Sequence, residues 1–199
     1  MAQRRPSRRL LLALLPLLAS AAAIAACGSD AEVASDDGAS EGPAPAAAPV
    51  KGLPKPLAEN RAQANQLIDG ATDALEAKLA ELEGHPVVVN QWGSWCPPCR
   101  AEFPFFAELA DQHADEVAFV GVDIQDDRQA AEEFLAELPV PYPSVYDPDA
   151  EAVKSLDWAG FSPTTWFIDE RGEVVFVRNG AYPDQGTLNA DIHNYLLRG

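Results

Sequence analysis

The sequence contains little cysteine and little basic charge. It has three cysteines among 199 residues, and 14 Lys and Arg against 31 Asp and Glu, for a formal net charge of −17. Secreted domains stapled by disulfides need several cysteine pairs, so a disulfide framework is not expected. An acidic chain without a basic stripe repels phosphate backbones, which argues against nucleic-acid binding.

The N-terminal segment is typical of an export signal. Its first ten residues carry four arginines and no acid, and the next ten, LLALLPLLAS, have the length of a signal h-region. A membrane-spanning helix needs about 20 apolar residues, and Pro16 and the small residues 19–23 argue against one here. Without these four arginines, ten of the 14 basic residues remain, so the exported form carries about −21. We therefore expect an extracytoplasmic protein.

The signal segment ends in Ile24-Ala25-Ala26-Cys27. These four residues resemble the lipobox of bacterial lipoproteins, which implies cleavage before Cys27 and a lipid thioether on its sulfur. The lipid would anchor the protein to the cell membrane. The alternative is an ordinary secretory signal in which Cys27 is an incidental thiol. Both interpretations predict export.

Three parts of the chain are predicted from composition and length. Residues 1–26 are the signal peptide. Residues 27–56 contain mainly Ala, Gly, Pro, Ser and acidic residues, with too few large apolar side chains to offset the entropy of ordering, so we expect a flexible linker. Residues 57–199 have the length of one compact domain.

The domain alternates strand and helix patterns. Strands are predicted over residues 66–69, 86–92, 117–123, 144–146, 164–168 and 173–177. Helices are predicted over residues 72–82, 96–111, 127–138, 149–156 and 184–197. Thr72 is the expected N-cap of the first helix, and the last two strands should form an antiparallel hairpin. Strands linked by helices, then a hairpin, predict an α/β fold with a mixed central β-sheet flanked by helices.

Cys96 and Cys99 lie two residues apart in the segment WGSWCPPCR, where a predicted buried strand gives way to a helix. A bridge between them closes too small a loop to stabilise the fold substantially. Unpaired N–H groups at a helix N-terminus favour a thiolate, and such motifs lower a cysteine pKa from about 8.5 to about 3.5–7.5. The pattern therefore predicts redox chemistry, with Cys96 as the exposed nucleophile and Cys99 as the resolving thiol.

Two segments carry a family resemblance. VVVNQWGSWCPPCRAEFP resembles the active-site segment of the TlpA/ResA-like branch of thioredoxin-fold proteins. FSPTTWFID resembles the second family segment, in which a cis-proline faces the disulfide. The resemblance covers the chain from about residue 65 to the end. It implies a thioredoxin-like fold and a redox-active disulfide, Cys96–Cys99, with no other cofactor.

The resemblance also implies how a substrate would bind. In the family, the backbone of the residue before the cis-proline pairs with an extended substrate segment, and that residue here is Ser162. Trp95, Pro97 and Pro163 are the other implied substrate contacts. The alternative for Pro163 is a trans proline that only begins a strand. Trp92 is as consistent with core packing as with shielding the disulfide.

Asn90 departs from the thioredoxin pattern. Thioredoxin has a buried aspartate there, which assists proton transfer at the resolving thiol, and a neutral amide cannot serve as that base. Glu102 follows Cys99 by three residues and therefore shares its helix face, which makes it a candidate substitute. A surface or structural role for Glu102 is the alternative. The three histidines lack metal-ligand spacing, so no metal site is predicted.

The resemblance implies thiol-disulfide exchange and favours a reductase of specific exported proteins, such as apocytochrome c in cytochrome c maturation or copper-site proteins. A membrane thiol carrier would supply the electrons. Oxidation of exported proteins uses the same residues and stays open. A Cu(I) carrier is a third hypothesis, because thiolates are apt Cu(I) ligands. The expected partners are exported protein thiols and disulfides, the thiol carrier, and the membrane through the lipid anchor.

Overall fold

The computed structural model describes residues 50–198. Within this range the chain forms six helices and one six-stranded sheet. The helices are α1 (Lys55–Arg61), α2 (Ala71–Glu81), α3 (Pro97–Gln112), α4 (Arg128–Glu137), α5 (Glu151–Ser155) and α6 (Gln185–Tyr195). The strands are β1 (Leu67–Ile68), β2 (Val87–Trp92), β3 (Ala118–Ile124), β4 (Ser144–Asp147), β5 (Thr164–Ile168) and β6 (Val174–Asn179).

The predicted signal peptide, the lipidation site Cys27 and the linker up to residue 49 lie outside the described residues. Helix α1 begins at Lys55, two residues before the predicted start of the domain, and was not predicted. Its sequence, KPLAENR, offers a single large apolar side chain, Leu57, which is buried together with Asn60. The amide of Asn60 donates a hydrogen bond to the Phe119 carbonyl at 3.0 Å. Between residues 50 and 198, no helix is both long and apolar enough to cross a bilayer.

The sheet has the strand order β1-β4-β3-β2-β5-β6. Strands β1, β4, β3 and β2 are parallel to one another, β5 is antiparallel to β2, and β6 is antiparallel to β5. Every residue of β2 and β3 is buried, as their apolar runs predict for central strands covered on both faces. The predicted mixed α/β sheet with a terminal hairpin is confirmed.

Helices cover both faces of the sheet. On one face, α3, α4 and α6 pack a core rich in aromatic residues, to which Phe103, Phe106 and Phe134 belong. On the other face, α1, α2 and α5 pack a mainly aliphatic core. The central strands β2 and β3 contribute to both cores, so the ends of these two strands are held from both sides.

The predicted cap of α2 is wrong. The helix begins at Ala71, and Gly70 is its N-cap with φ 120°, so Thr72 lies inside the first turn. Gly70 occupies this position because positive φ carries no steric penalty for glycine. At the start of α5, the Asp147 carboxylate accepts the N–H groups of Glu151 at 2.8 Å and Val153 at 3.2 Å.

Gly121 on β3 makes room for a buried hydrogen bond that joins the central strands. Trp92 Nε1 donates to Ser144 Oγ at 3.1 Å, and a Cβ at Gly121 would overlap that hydroxyl and lie 2.9 Å from the indole nitrogen. We expect Gly121→Ala to lower the free energy of unfolding by about 2–3 kcal/mol, measured by urea denaturation. Gly186→Ala is the control, since its Cβ would meet only Asp184 Oδ1, at 3.2 Å. Equal losses in the two variants would contradict the prediction.

Candidate active site

Cys96 is the N-cap residue of α3, and its sulfur is bonded to that of Cys99. The two Cα atoms are 5.3 Å apart, and Cys96 Sγ accepts the backbone N–H of Cys99 at 3.3 Å. Pro97 and Pro98 occupy the first helical positions, where an N–H group has no partner within the helix, so the prolines cost no hydrogen bond. The chain thus turns directly from a buried strand into the helix that carries the pair.

Both sulfurs are covered in this disulfide form. Cys96 is 2% exposed and Cys99 is fully buried, so the prediction of an exposed Cys96 is wrong for this state. The reason is local: the Cys96 side chain turns back onto the first turn of α3, where it meets Cys99 Sγ and the Cys99 N–H group. Pro97 and Pro98 are exposed beside it.

The Ser162–Pro163 peptide bond is cis, as predicted. Pro163 immediately precedes β5, and the antiparallel pairing of β5 with β2 sets Thr164 opposite Gln91. The start of β5 therefore lies beside the end of β2 that leads into Cys96. The Ser162 hydroxyl donates to Gln91 Oε1 at 3.1 Å, which ties the loop before the proline to β2. The substrate contacts assigned to Ser162 and Pro163 stay predictions.

Two large aromatic side chains are exposed next to these segments. Trp95, adjacent to Cys96, is 48% exposed, and Phe161, adjacent to Ser162, is 56% exposed. The Trp95 indole lies against Gly93, where a Cβ would be 2.5 Å from Nε1, and this nitrogen donates to the Ile124 carbonyl at 3.1 Å. Sequence reasoning did not single out Phe161, although it is the first residue of the family segment FSPTTWFID.

Glu102 is buried, not a surface residue, with 1% exposure. Its Oε2 accepts the backbone N–H of Tyr182 at 2.7 Å, and its Oε1 accepts the Asn90 amide at 3.3 Å. Burial raises the pKa of Glu102 to about 7, against the lowering effects of Tyr182, Asn90 and the Arg178 charge. A carboxyl with this pKa can both accept and release a proton at neutral pH.

Trp92 belongs to the core. It is fully buried, with its ring centroid 4.9 Å from that of Phe134 and 5.3 Å from that of Phe103. Packing therefore accounts for this residue. The fold also brings two of the three histidines together, with their rings 5.3 Å apart. His113 is the C-cap residue of α3, and His193 lies in the last turn of α6.

Comparisons with known proteins agree with this geometry. A family model described as Redoxin matches residues 57–195. The chain belongs to the Redoxin family. Thiol-disulfide oxidoreductase ResA of Oceanobacillus iheyensis is 33% identical over 115 residues, which are 57% of this chain and 59% of the relative. Thiol:disulfide interchange protein DsbE of Pseudomonas aeruginosa is 40% identical over 96 residues, 48% of this chain and 51% of the relative.

The matches to these two relatives thus span little more than half of their length. Among solved structures, a DsbF homologue from Corynebacterium diphtheriae superposes with a TM-score of 0.54 at 29% identity, over 58% of this chain and 75% of that one. The predicted membership of the TlpA/ResA-like branch of the thioredoxin superfamily and the thioredoxin-like fold are therefore confirmed.

Sequence reasoning missed a pair of acids at the end of β3, beside the loop that precedes Cys96. Asp123 is fully buried near the end of β3, and Asp126 accepts hydrogen bonds from both the hydroxyl and the backbone N–H of Ser94. The available signal was an aspartate that follows the apolar run AFVGV, because an acid seldom belongs in a strand covered on both faces.

Proposed function

We propose that the protein is an envelope thiol-disulfide oxidoreductase that reduces disulfides of specific exported proteins. The observation that carries the proposal is the Cys96–Cys99 disulfide at the N-terminus of α3. The pair follows β2 at the end of the strand that lies beside the cis Ser162–Pro163 bond. The names of the two relatives, a thiol-disulfide oxidoreductase and a thiol:disulfide interchange protein, support the same class of reaction.

The proposed reaction begins from the reduced pair. The Cys96 thiolate attacks one sulfur of the substrate disulfide, which breaks that bond, forms a mixed disulfide and releases the other substrate sulfur as a thiolate. The Cys99 thiol then loses its proton, attacks Cys96 Sγ and displaces the substrate as a dithiol. Two electrons pass to the substrate, and Cys96–Cys99 becomes the disulfide found in the structure.

Glu102 is the proposed acceptor of the Cys99 proton. It follows Cys99 by one turn on α3, is buried, and is held by Asn90 and the Tyr182 N–H. Its pKa of about 7 suits a group that takes up a proton when Cys99 attacks and gives it back when the disulfide is reduced again. Asn90 then orients the base and does not itself replace the thioredoxin aspartate.

An extended substrate segment is proposed to lie along the backbone of Ser162, beside Pro163, between the exposed rings of Trp95 and Phe161. Pro97, exposed at the start of α3, would border the attacked sulfur. The Gln91–Ser162 hydrogen bond fixes the loop that presents this backbone. Aromatic rims of this kind bind peptide segments mainly by burying apolar surface.

The location and partners rest on the sequence signals. We propose export, a lipid anchor at Cys27 and re-reduction of Cys96–Cys99 by a membrane thiol carrier. Apocytochrome c is the proposed substrate class by resemblance to the TlpA/ResA-like branch. The acidic charge of about −21 after loss of the four N-terminal arginines favours substrates of opposite charge at low ionic strength.

The reduction potential of Cys96–Cys99 tests the direction. For a reductase we expect a value near that of thioredoxin, about −270 mV, in equilibrium with glutathione. A value as oxidising as about −120 mV would contradict the proposal and favour an oxidase of exported proteins. The Cys27→Ser variant is the control, because Cys27 is the third cysteine of the chain and would be a free thiol in protein that has not received the lipid.

A further inference from the structure

The loop before Cys96 is fastened to the end of a neighbouring strand. β2 and β3 are parallel and adjacent, with Trp92 opposite Asp123, so the segments after them leave the same edge of the sheet. Asp126 accepts the Ser94 hydroxyl at 2.7 Å and also accepts the Ser94 N–H. Trp95 Nε1 donates to the Ile124 carbonyl at 3.1 Å. These three bonds fix both residues of the Ser94–Trp95 segment.

Asp123 is a buried carboxyl next to that fastening. It has no exposed surface, and among residues 50–198 neither of its oxygens has a hydrogen-bond donor. The charged or titratable side chains that face it are those of Asp126, Arg128, Tyr146 and Asp147.

The one cation in that set is already engaged. The Arg128 guanidinium pairs with Asp69 and with Glu132, and it lies over the Tyr146 ring. An ionised Asp123 would therefore be a buried anion beside a second anion, Asp126. Such a charge is strongly unfavourable unless it is paired or neutralised.

We propose that Asp123 is protonated and donates its proton to the Asp126 carboxylate, so that this acid pair positions the Ser94–Trp95 segment for the reaction at Cys96. A proton on Asp123 turns an unsatisfied pair of acceptors into a hydrogen bond to a charged acceptor, which is among the strong kinds. Burial, together with the charge of Asp126, raises the pKa of Asp123 to about 9.

This role deepens the proposed function and rests on it. Asp126 binds Ser94 through both of its carboxylate oxygens, and the neighbouring Trp95 is a proposed substrate contact. When Asp123 ionises, the two carboxylates repel each other. The hydrogen bonds from Ser94 to Asp126 then weaken, and the exposed Trp95 ring loses its fixed position. The loss should affect protein substrates, which contact Trp95, more than small disulfides, which react with the cysteine pair without that contact. Asp123 is thus a positioning residue.

The kinetic test compares Asp123→Asn with Asp123→Ala. Asparagine has the shape of a protonated aspartate and carries a permanent donor for Asp126. We expect Asp123→Asn to keep the KM for a protein disulfide and to lack the rise in KM that the unchanged protein shows as pH increases through about 9. Asp123→Ala, without a donor, should raise this KM about tenfold at neutral pH, with little effect on glutathione disulfide. The exposed Asp115→Asn is the charge-matched control.

The proton itself has a direct readout. Infrared spectra at pH 8 should contain the carbonyl band of a buried protonated carboxyl, and Asp123→Asn should lack it. Glu102→Gln is introduced in both proteins, because among residues 50–198 Glu102 is the other carboxyl whose pKa is raised. The infrared measurement does not depend on activity. If the protein had no exchange activity, the proposed function would be overturned, but the band would still test whether Asp123 is protonated.

A missing band, or a KM that rises with pH in Asp123→Asn as it does in the unchanged protein, would overturn the proposal. If Asp123→Ala does not fold, the asparagine variant and the infrared band decide alone. If KM changed equally in Asp123→Ala and in the control Asp115→Asn, the effect would come from the net charge of the chain. This result would also overturn the proposal.

Discussion

Cys96→Ser is expected to lower the rate of disulfide exchange by at least about 1,000-fold, because it removes the nucleophile of the first step. Cys99→Ser is expected to stop the reaction halfway. In that variant the Cys96 thiolate still forms the mixed disulfide, but no second thiol displaces the substrate. Insulin reduction measures the first effect, and covalent complexes on non-reducing gels measure the second.

The contrast between the two variants is more informative than either loss alone. Both sulfurs are buried in the disulfide, at 2% and 0% exposure, so burial does not say which one attacks. Position does: Cys96 is the N-cap of α3, whereas Cys99 lies in the helix, in its first turn. Backbone N–H groups and the helix dipole stabilise an anion at the N-cap position more strongly than they stabilise an anion within the helix.

The double variant, Cys96→Ser with Cys99→Ser, is the control and should capture no partner. Partners captured by Cys96→Ser in place of Cys99→Ser would reverse the assigned roles. Exchange activity that survives Cys96→Ser would reject the proposed function. Stoichiometric Cu(I) retention without insulin reduction by the unchanged protein would favour the metal-carrier hypothesis instead.

The fold was predictable where one pattern dominates a segment. The apolar runs of β2 and β3 predicted buried strands because polar alternation is missing from them. The spacing of Phe103, Phe106 and Leu109 predicted α3 because it repeats at the helical period, and all three are buried. Helix α1 was not predicted, because Leu57 alone gives no helical period. The helix is held by a hydrogen bond from Asn60 to the carbonyl of Phe119, which is far along the chain.

The site divides in the same way. Cys96 and Cys99 are neighbours in sequence, so their pairing could be predicted, and the cis bond at Pro163 followed from a family resemblance. The surroundings of Glu102 could not be predicted, because they consist of Asn90 from β2 and the Tyr182 N–H from the segment before α6. Burial of a carboxyl by distant segments leaves no local pattern, so the shift of its pKa becomes visible only in the folded protein.

Glu102→Gln is the variant for which we expect the second large effect, and it should leave the fold intact. Glutamine keeps an acceptor for the Tyr182 N–H. Its new amide donor faces Asn90, whose Oδ1 is buried and without a hydrogen-bond donor among residues 50–198, so a rotated Asn90 amide can accept it. What the variant removes is the titrating proton.

The stability of the protein should reveal that proton. The pKa of Glu102 is raised from 4.5 to about 7 by folding, so the folded state binds more protons than the unfolded state between these values. The contribution of Glu102 to stability is therefore fully present below pH 4.5 and is lost as pH rises to about 7. Relative to Glu102→Gln, the unchanged protein should lose about 3 kcal/mol across this interval, measured by urea denaturation.

The rate of resolution should reveal the role of Glu102 in catalysis. In the unchanged protein, release of the substrate from the mixed disulfide should accelerate with pH up to about 7, as Glu102 becomes the carboxylate that accepts the Cys99 proton. In Glu102→Gln, release at neutral pH should be about 100-fold slower and should recover only when Cys99 ionises without help. Rapid-mixing kinetics with a fluorescent disulfide substrate measure this step.

Glu108→Gln is the matched control, because Glu108 is exposed on the same helix and its carboxylate accepts a hydrogen bond from Gln112. It should change neither the pH dependence of stability nor the rate of release. If Glu102→Gln changed stability as described but left the pH dependence of release unaltered, Glu102 would be a buried structural acid, and the proton of Cys99 would have to leave by another route.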